Sequence, residues 1–237
     1  RSVAGRHVEG RYLAGHDRAV MITAGQHANE VSGPVGALRA AQELAARAGA
    51  HFSLCPLENP DGYALRHRLA ADNPRHLLHA ARYTALGDDL EYRDTPPRAE
   101  SGIRDQARAL SGALLHVSLH GYPGHEWLRP LNGYLPQGFE EWTLPRGFFL
   151  ILRHHPGWAG PARRLIRDIA QRLGKSPGLA AFNHAQMVLA RNHGVPSGEV
   201  IGAIPCRLEE CTRNPQPLTL ITEYPDETLR GAAFIAA

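Results

Sequence analysis

The stretch Ala24-Gly25-Gln26-His27-Ala28-Asn29-Glu30 sits between an apolar run, Ala19-Val20-Met21-Ile22, and Ser32-Gly33-Pro34. A helix can begin at Ser32 because Ser caps well and Pro fits the first helical turn. The stretch is therefore expected at a strand-to-helix turn, where α/β folds gather their chemistry. A His and a Glu three apart at such a turn can both face one metal ion. Taken alone, the pattern is at chance level: 14 His and 23 acidic residues in 237 give about 1.4 such pairs at random, and the chain has one.

Outward from this turn, composition limits what the chain can be. At 237 residues, with 43% hydrophobic and 21% charged residues, it has the profile of an ordinary globular protein able to bury a substantial core. No apolar run approaches the roughly 18 residues of a membrane span. The formal charge of +3 is small and Arg is dispersed, so neither a membrane nor a nucleic acid is expected as partner. Cys55, Cys206 and Cys211 form a sparse, odd set that fits a reducing, cytoplasmic compartment. Two free thiols are expected at Cys206 and Cys211 in preference to a pair. The chain begins at Arg1 without Met or signal peptide, which leaves open its excision from something longer.

Val8 to Leu13 reads as an edge strand, Pro34 to Ala48 as a helix with Val35, Leu38, Ala41 and Leu44 in register, and His51 to Leu57 as a second strand. That strand ends in Asn59-Pro60-Asp61-Gly62, a strong turn signal. A helix from about Ala99 to Leu110 leads to a third strand, Ala113 to Leu119, and a turn at His120 to Gly124. Phe148 to Leu152 reads as a fourth strand, Pro161 to Leu173 and Leu179 to Arg191 as helices. Leu218 to Thr222 is a last strand, running into Glu223 and a terminal helix from Glu227. Strands alternating with helices predict an α/β fold, a mixed, largely parallel sheet flanked by helices, in a single domain over 1–237.

Four strand-like segments thus end in turns with reactive polar groups: His27 and Glu30, Asn59 to Gly62, His120, and Glu223. Along the carboxyl edge of a parallel sheet such groups can share one cleft. Two His and one Glu suit Zn²⁺ with a fourth position left for water, the arrangement of a catalytic zinc.

In this order the motifs resemble those of the zinc metallocarboxypeptidases. H-x-x-E corresponds to His27-Ala28-Asn29-Glu30, N-P-D-G to Asn59-Pro60-Asp61-Gly62, the third ligand's strand end to Leu119-His120-Gly121-Tyr122, and the catalytic Glu to Thr222-Glu223. The resemblance spans residues 27 to 223 and implies a three-layer sandwich holding one Zn²⁺ through His27, Glu30 and His120. It also implies Glu223 as general base, and Asp89, in Gly87-Asp88-Asp89, as the carboxylate orienting His27, with Asp88 the alternative. Arg75 is implied as the oxyanion-stabilising arginine, with Arg66 and Arg68 competing, and Tyr122 as a substrate contact. The implied activity is hydrolysis of an amide near the C-terminus of a peptide or, as an alternative, of an N-acyl amino acid, cell-wall peptide or ester; a third possibility is a zinc-binding domain without catalysis.

The chain departs from the family where an Asn-Arg pair grips the substrate carboxylate: Asp89 is followed by Leu90-Glu91-Tyr92-Arg93. Either Arg93 has taken over that role, as a planar guanidinium could, or the clamp is absent. Residues 195 to 221 lack the Tyr expected in digestive members. His76, His79, His154 and His155 are expected to be solvated or packed, and Glu209 with Glu210 to form a solvated acidic pair.

Overall fold

The computed structural model describes residues 1–72, 78–93, 95–123, 147–192 and 198–226. Arg75, His76 and the terminal helix expected from Glu227 lie outside them. The chain divides into two compact units, Arg1–His120 and Gly121–Ala237.

In the first unit the elements are β1 (Arg11–Leu13), β2 (Val20–Ala24), α1 (Ser32–Ala45), β3 (Phe52–Cys55), α2 (Pro60–Asp72), α3 (Gly102–Ser111) and β4 (Leu115–Pro123). The strands lie in the order β1-β3-β2-β4. Strands β3, β2 and β4 are parallel, with Val20 opposite both Phe52 and Leu115, and β1 is antiparallel to β3. Only three residues of the expected first strand pair. Strand β4 does not end before His120 as expected but continues through the described residues to Pro123.

Side-chain alternation sorts this sheet into two chemically different faces. Ile22, Ala24, Phe52 and Leu54, with Val117 and Leu119, form an aliphatic face under α1. Helix α1 buries Gly33 and Ala37, while Leu38, expected in the core, is exposed. The buried stripe is made of small residues because the helix start lies almost on β4: a Cβ on Gly33 would stand 2.4 Å from the Leu119 carbonyl oxygen. The opposite face, under α3, carries Met21, Thr23, Ser53, Cys55, His116, Ser118 and His120, and Ile103, Gln106 and Ala107 share a small cavity there with Thr23, Ser53 and Cys55. Helices on both faces of a mixed sheet make the three layers expected.

The second unit contains β5 (Phe149–His154), α4 (Ala159–Leu173), α5 (Pro177–Asn192), β6 (Glu199–Ile201), β7 (Ile204–Glu210) and β8 (Leu218–Asp226). Strand β5 pairs in parallel with β7 and antiparallel with β8, and β6 is antiparallel to β7. The β6–β7 hairpin was not foreseen. Its two-residue turn, Gly202-Ala203, has positive φ at both positions, the backbone of a tight hairpin, with an Ala where Asn or Gly would announce it. Buried Asn183 on α5 fastens this hairpin, donating to the carbonyls of Ala203 and Phe148 at 2.9 Å each and accepting from the Phe148 N–H at 2.8 Å. Ala162, Ile166 and Ala170 are the buried side of α4. All three cysteines are free thiols.

The Asn59–Gly62 stretch is not a free-standing turn but the start of α2. The Asn59 side chain accepts from the Gly62 N–H at 2.8 Å, capping the helix, and Pro60 occupies the first turn, where no N–H is needed. The Asn59 amide also donates to the carbonyls of Arg82, at 3.4 Å, and Tyr83, at 3.2 Å. Asp61 holds the amino-terminal segment through Ser2 Oγ at 2.7 Å, the Ala4 N–H at 2.9 Å and Arg6 Nη1 at 2.8 Å. Gly62 is required by space: a Cβ there would lie 2.5 Å from the Ala81 carbonyl oxygen. Gly62→Ala is therefore expected to cost about 2 kcal/mol by overcrowding, a fall in Tm of about 6 °C in a thermal melt; an unchanged Tm would mean that the 81–83 segment is not tightly held against α2.

Candidate metal centre

The turn after β2 is built by backbone pairing that continues past the strand ends. The N–H groups of Glu58 and Asn59 donate to the carbonyls of Ala24 and Gly25, each at 3.0 Å, so the segments following β2 and β3 stay side by side. Gly25 takes φ +65°, and a Cβ on it would come within 2.9 Å of Leu57. The Glu30 N–H then donates to the His27 carbonyl at 3.1 Å, closing a tight turn that sets the two side chains together. His27 Nδ1 lies 2.7 Å from Glu30 Oε1, and His120 Nδ1 lies 3.1 Å from Glu30 Oε2. All three residues are buried, and the two imidazoles meet edge to face at 4.9 Å.

These residues fit a zinc ion. Their ligand atoms lie within 4.8 Å of one another, and a tetrahedral Zn²⁺ with bonds of about 2.0–2.1 Å places neighbouring ligand atoms about 3.4 Å apart. Two imidazole nitrogens and a carboxylate leave the fourth position for water or substrate.

Each ligand is backed by polar groups. Asp89 Oδ1 stands 2.9 Å from His27 Nε2 and also accepts from the Glu91 N–H at 2.9 Å. Its other oxygen accepts from Arg82 Nε and Nη2, at 3.1 and 2.9 Å, while Arg82 Nη1 donates to Glu30 Oε1 at 3.3 Å. On the other side, Gln26 Nε2 lies 2.6 Å from His120 Nε2 and 3.3 Å from Glu91 Oε2. Arg104 donates to the Gln26 carbonyl and forks onto the buried Glu58 carboxylate at 2.6 and 2.7 Å. His116, four residues before His120 on the same strand face, bonds Thr23 Oγ1 at 2.9 Å. Burial, reinforced by Arg104, pushes its pKa down to about 3, so it is neutral at ordinary pH.

The residues from Arg1 to Glu91 match the family model for zinc carboxypeptidases. Over this span, 91 of 237 residues, the chain is similar to the zinc carboxypeptidases. The matched span holds His27, Glu30, the Asn59–Gly62 motif and Asp89. No functionally curated protein matches the chain. Among solved structures, a provisionally assigned metallopeptidase of Shewanella baltica OS155 is 17% identical, with TM-score 0.54 over 99% of this chain and 78% of its own. A provisionally assigned metallopeptidase of Shewanella denitrificans OS217 is 15% identical, with TM-score 0.52 over 97% and 74%. Carboxypeptidase A of Helicoverpa armigera is 12% identical, with TM-score 0.53 over 98% of this chain and 59% of that enzyme. Identities this low show a shared fold. The match over residues 1–91 and the set of two His and one Glu support a zinc-dependent hydrolase.

Two residues expected as substrate contacts, Arg93 and Tyr122, are buried and paired within the chain. Arg93 is not offered to a substrate carboxylate. Its side chain is 3% exposed and gives its donors to Asp88, at 2.7 and 2.6 Å, Thr84, at 2.7 Å, and Glu100, at 2.5 Å. Glu100 is fully buried, and a buried carboxylate needs such a partner. Arg93 is thus the clasp of the 84–93 loop, and Asp88 is its partner, which leaves Asp89 facing His27. Tyr122 is buried as well: its hydroxyl donates to the Gly147 carbonyl at 2.6 Å and its ring packs on Phe149.

The other expected residues are placed as follows. Arg75 lies outside the described residues; Arg66 is half-buried and Arg68 exposed, both on α2. Glu223 is buried in the second unit, inside β8 and opposite Phe149, not in a turn after the strand. His154 and His155 bond backbone carbonyls of His155 and Asn214, as packed residues do. Glu209 pairs with Arg153 and Arg207. Gln26, Glu58, Arg82 and Arg104 were missed by sequence reasoning. Only Gln26, adjacent to His27, carried any signal of position.

The electrostatics of the centre give a pH dependence. Burial alone would lower the pKa of His27, but the Glu30 charge and the hydrogen bonds to Asp89 and Glu30 outweigh it and raise the value from 6.5 to about 9. Against the same burial cost, His27 and Arg82 hold Asp89 well below the usual carboxylate range, and the two imidazoles do so for Glu30. A histidine whose folded pKa is raised contributes stability that is complete below pH 6.5 and lost as pH rises through about 9. Protein stripped of metal with a chelator should therefore lose about 3 kcal/mol of unfolding free energy between pH 6 and pH 10. Urea melts at the two pH values measure it, and His27→Asn should flatten the dependence; an equal slope in the variant would assign it to another group.

Proposed function

We propose that the chain is a zinc-dependent hydrolase cleaving an amide bond near the C-terminal end of a peptide or peptide-like substrate. The observation that carries it is the convergence of His27, Glu30 and His120 on one buried point, with Asp89 behind His27. A bound Zn²⁺ supplies a water of lowered pKa and polarises the scissile carbonyl. His27, Glu30 and His120 would hold the ion, with Asp89 fixing the His27 ring and keeping the Nε2 proton so that Nδ1 stays bare for ligation. Glu223 takes the proton from the attacking water and delivers it to the leaving amine, an assignment supported by its place on the last strand in the family's motif order. Arg75 is proposed to stabilise the oxyanion, on its spacing from Asn59 alone.

Glu223→Gln should reduce turnover at least about a thousandfold while the protein still holds one zinc by elemental analysis. Full activity in this variant would remove Glu223 from the reaction.

The burial of Arg93 favours a second reading of the substrate. With that guanidinium consumed by Asp88 and Glu100, and Glu91 standing at the family's Asn position, Leu90 to Arg93 present no cation to a free carboxylate. An N-acyl amino acid, a cell-wall peptide or an ester would then be cleaved by the same centre. Matched acyl-dipeptides with free and amidated C-termini separate the two: at least a hundredfold preference for the free acid, the loss expected when a charged hydrogen-bonded pair is broken, supports a carboxypeptidase, and equal kcat/KM supports the second reading.

A further inference from the structure

The N-P-D-G motif and the metal centre are connected by one side chain that no motif announces. Asn59 caps α2 and, with the same amide, holds the carbonyls of Arg82 and Tyr83; Gly62 gives the room for Ala81 to approach. The backbone at 81–83 is thus pinned to the first turn of α2. From that pinned backbone the Arg82 guanidinium reaches two carboxylates, Asp89 through Nε and Nη2 and Glu30 through Nη1. Those two carboxylates are the ones that bracket the His27 ring, Glu30 at Nδ1 and Asp89 at Nε2.

We propose that Arg82 is a positioning residue for the metal centre, a planar fork that fixes Glu30 and Asp89 on the two sides of His27 and transmits to them the rigidity of the Asn59–Gly62 turn. It rests on the zinc reading of the site. A guanidinium suits this task because its donors are coplanar and at fixed spacing, so two carboxylates bound to it are held at a fixed separation. Asp89 is satisfied from three directions, by His27, the Glu91 N–H and Arg82, and has one orientation in which all are met. Arg82 is itself about a quarter exposed, so its replacement is not a core substitution. Its role is therefore separable from folding.

The sign of the effect distinguishes positioning from charge. Arg82 is a cation beside a cation site, and Coulomb repulsion alone predicts that its removal tightens zinc binding. Positioning predicts the reverse, since loss of a partner that orients a ligand typically weakens metal affinity 10- to 100-fold. The experiment titrates the full chain with Zn²⁺ in competition with a chromogenic chelator, for the unchanged protein, Arg82→Met, Asp89→Asn and the double variant, with thermal melts of each in chelator. Arg82→Met should weaken zinc binding at least about tenfold, and the double variant should be weaker than Asp89→Asn by less than that factor, because Arg82 acts in part through Asp89. Arg82→Lys, which keeps the charge and loses the fork, should recover only part of the affinity, and it serves as the single variant if Arg82→Met does not fold. Unchanged or tighter zinc binding in Arg82→Met, or full recovery with Lys, would overturn the positioning role. Failure of the unchanged protein to bind one zinc would overturn the metal reading itself.

Discussion

A carboxylate removed from water has to be surrounded by donors or lose its charge. Glu30 is such a carboxylate, buried between two imidazole nitrogens and within reach of a guanidinium. Much of the first unit follows from that requirement. Strand β4 must bring His120 to it, the tight turn after β2 must bring His27, and the 84–93 loop must bring Asp89 behind His27. The aliphatic face of the sheet carries α1 and supplies the core, while the polar face supplies the chemistry. One sheet serves both tasks because side chains alternate along every strand.

The buried ion pairs around the centre hold the residues that back His27 and His120. Arg93 with Asp88 and Glu100 fixes the loop bearing Asp89, and Arg104 with Glu58 fixes the amide that touches His120. Such pairs contribute little net stability, because desolvation cancels most of the attraction, but their geometry is specific. They hold loops that have few apolar side chains of their own. The stretch from His79 to Arg93 forms only single-turn helices, so ion pairs and hydrogen bonds fix its course.

How much of this was legible in the sequence depended on whether the signal was local. The strands, α1 and α4 show themselves by periodicity, and the cluster of His27, Glu30 and His120 by motif order. The start of α2 was hidden because Asn-Pro-Asp-Gly is good turn chemistry as well as a good helix cap. The β6–β7 hairpin was hidden because its second turn residue is Ala203, held at positive φ by the buried Asn183 amide on its carbonyl, a tertiary cause. The role of Arg93 stayed open in the sequence for a related reason. A guanidinium beside a motif suggests a ligand clamp, and only the fold reveals that Glu100 is buried beneath it. Arg82 and Arg104 had no local signal, since their partners are distant in sequence or belong to no known pattern.

Strands β1 and β6 are only three residues each. A strand with an unpaired side offers N–H and C=O groups to any other chain that can extend along it, and the hazard grows with the length of the free ladder. At three residues each, β1 and β6, which pair on one side only among the described residues, give an incoming segment few bonds to nucleate on. The polar, ion-paired centre of the first unit is therefore built on strands whose outer neighbour, β1, is a poor template for self-association because it is short.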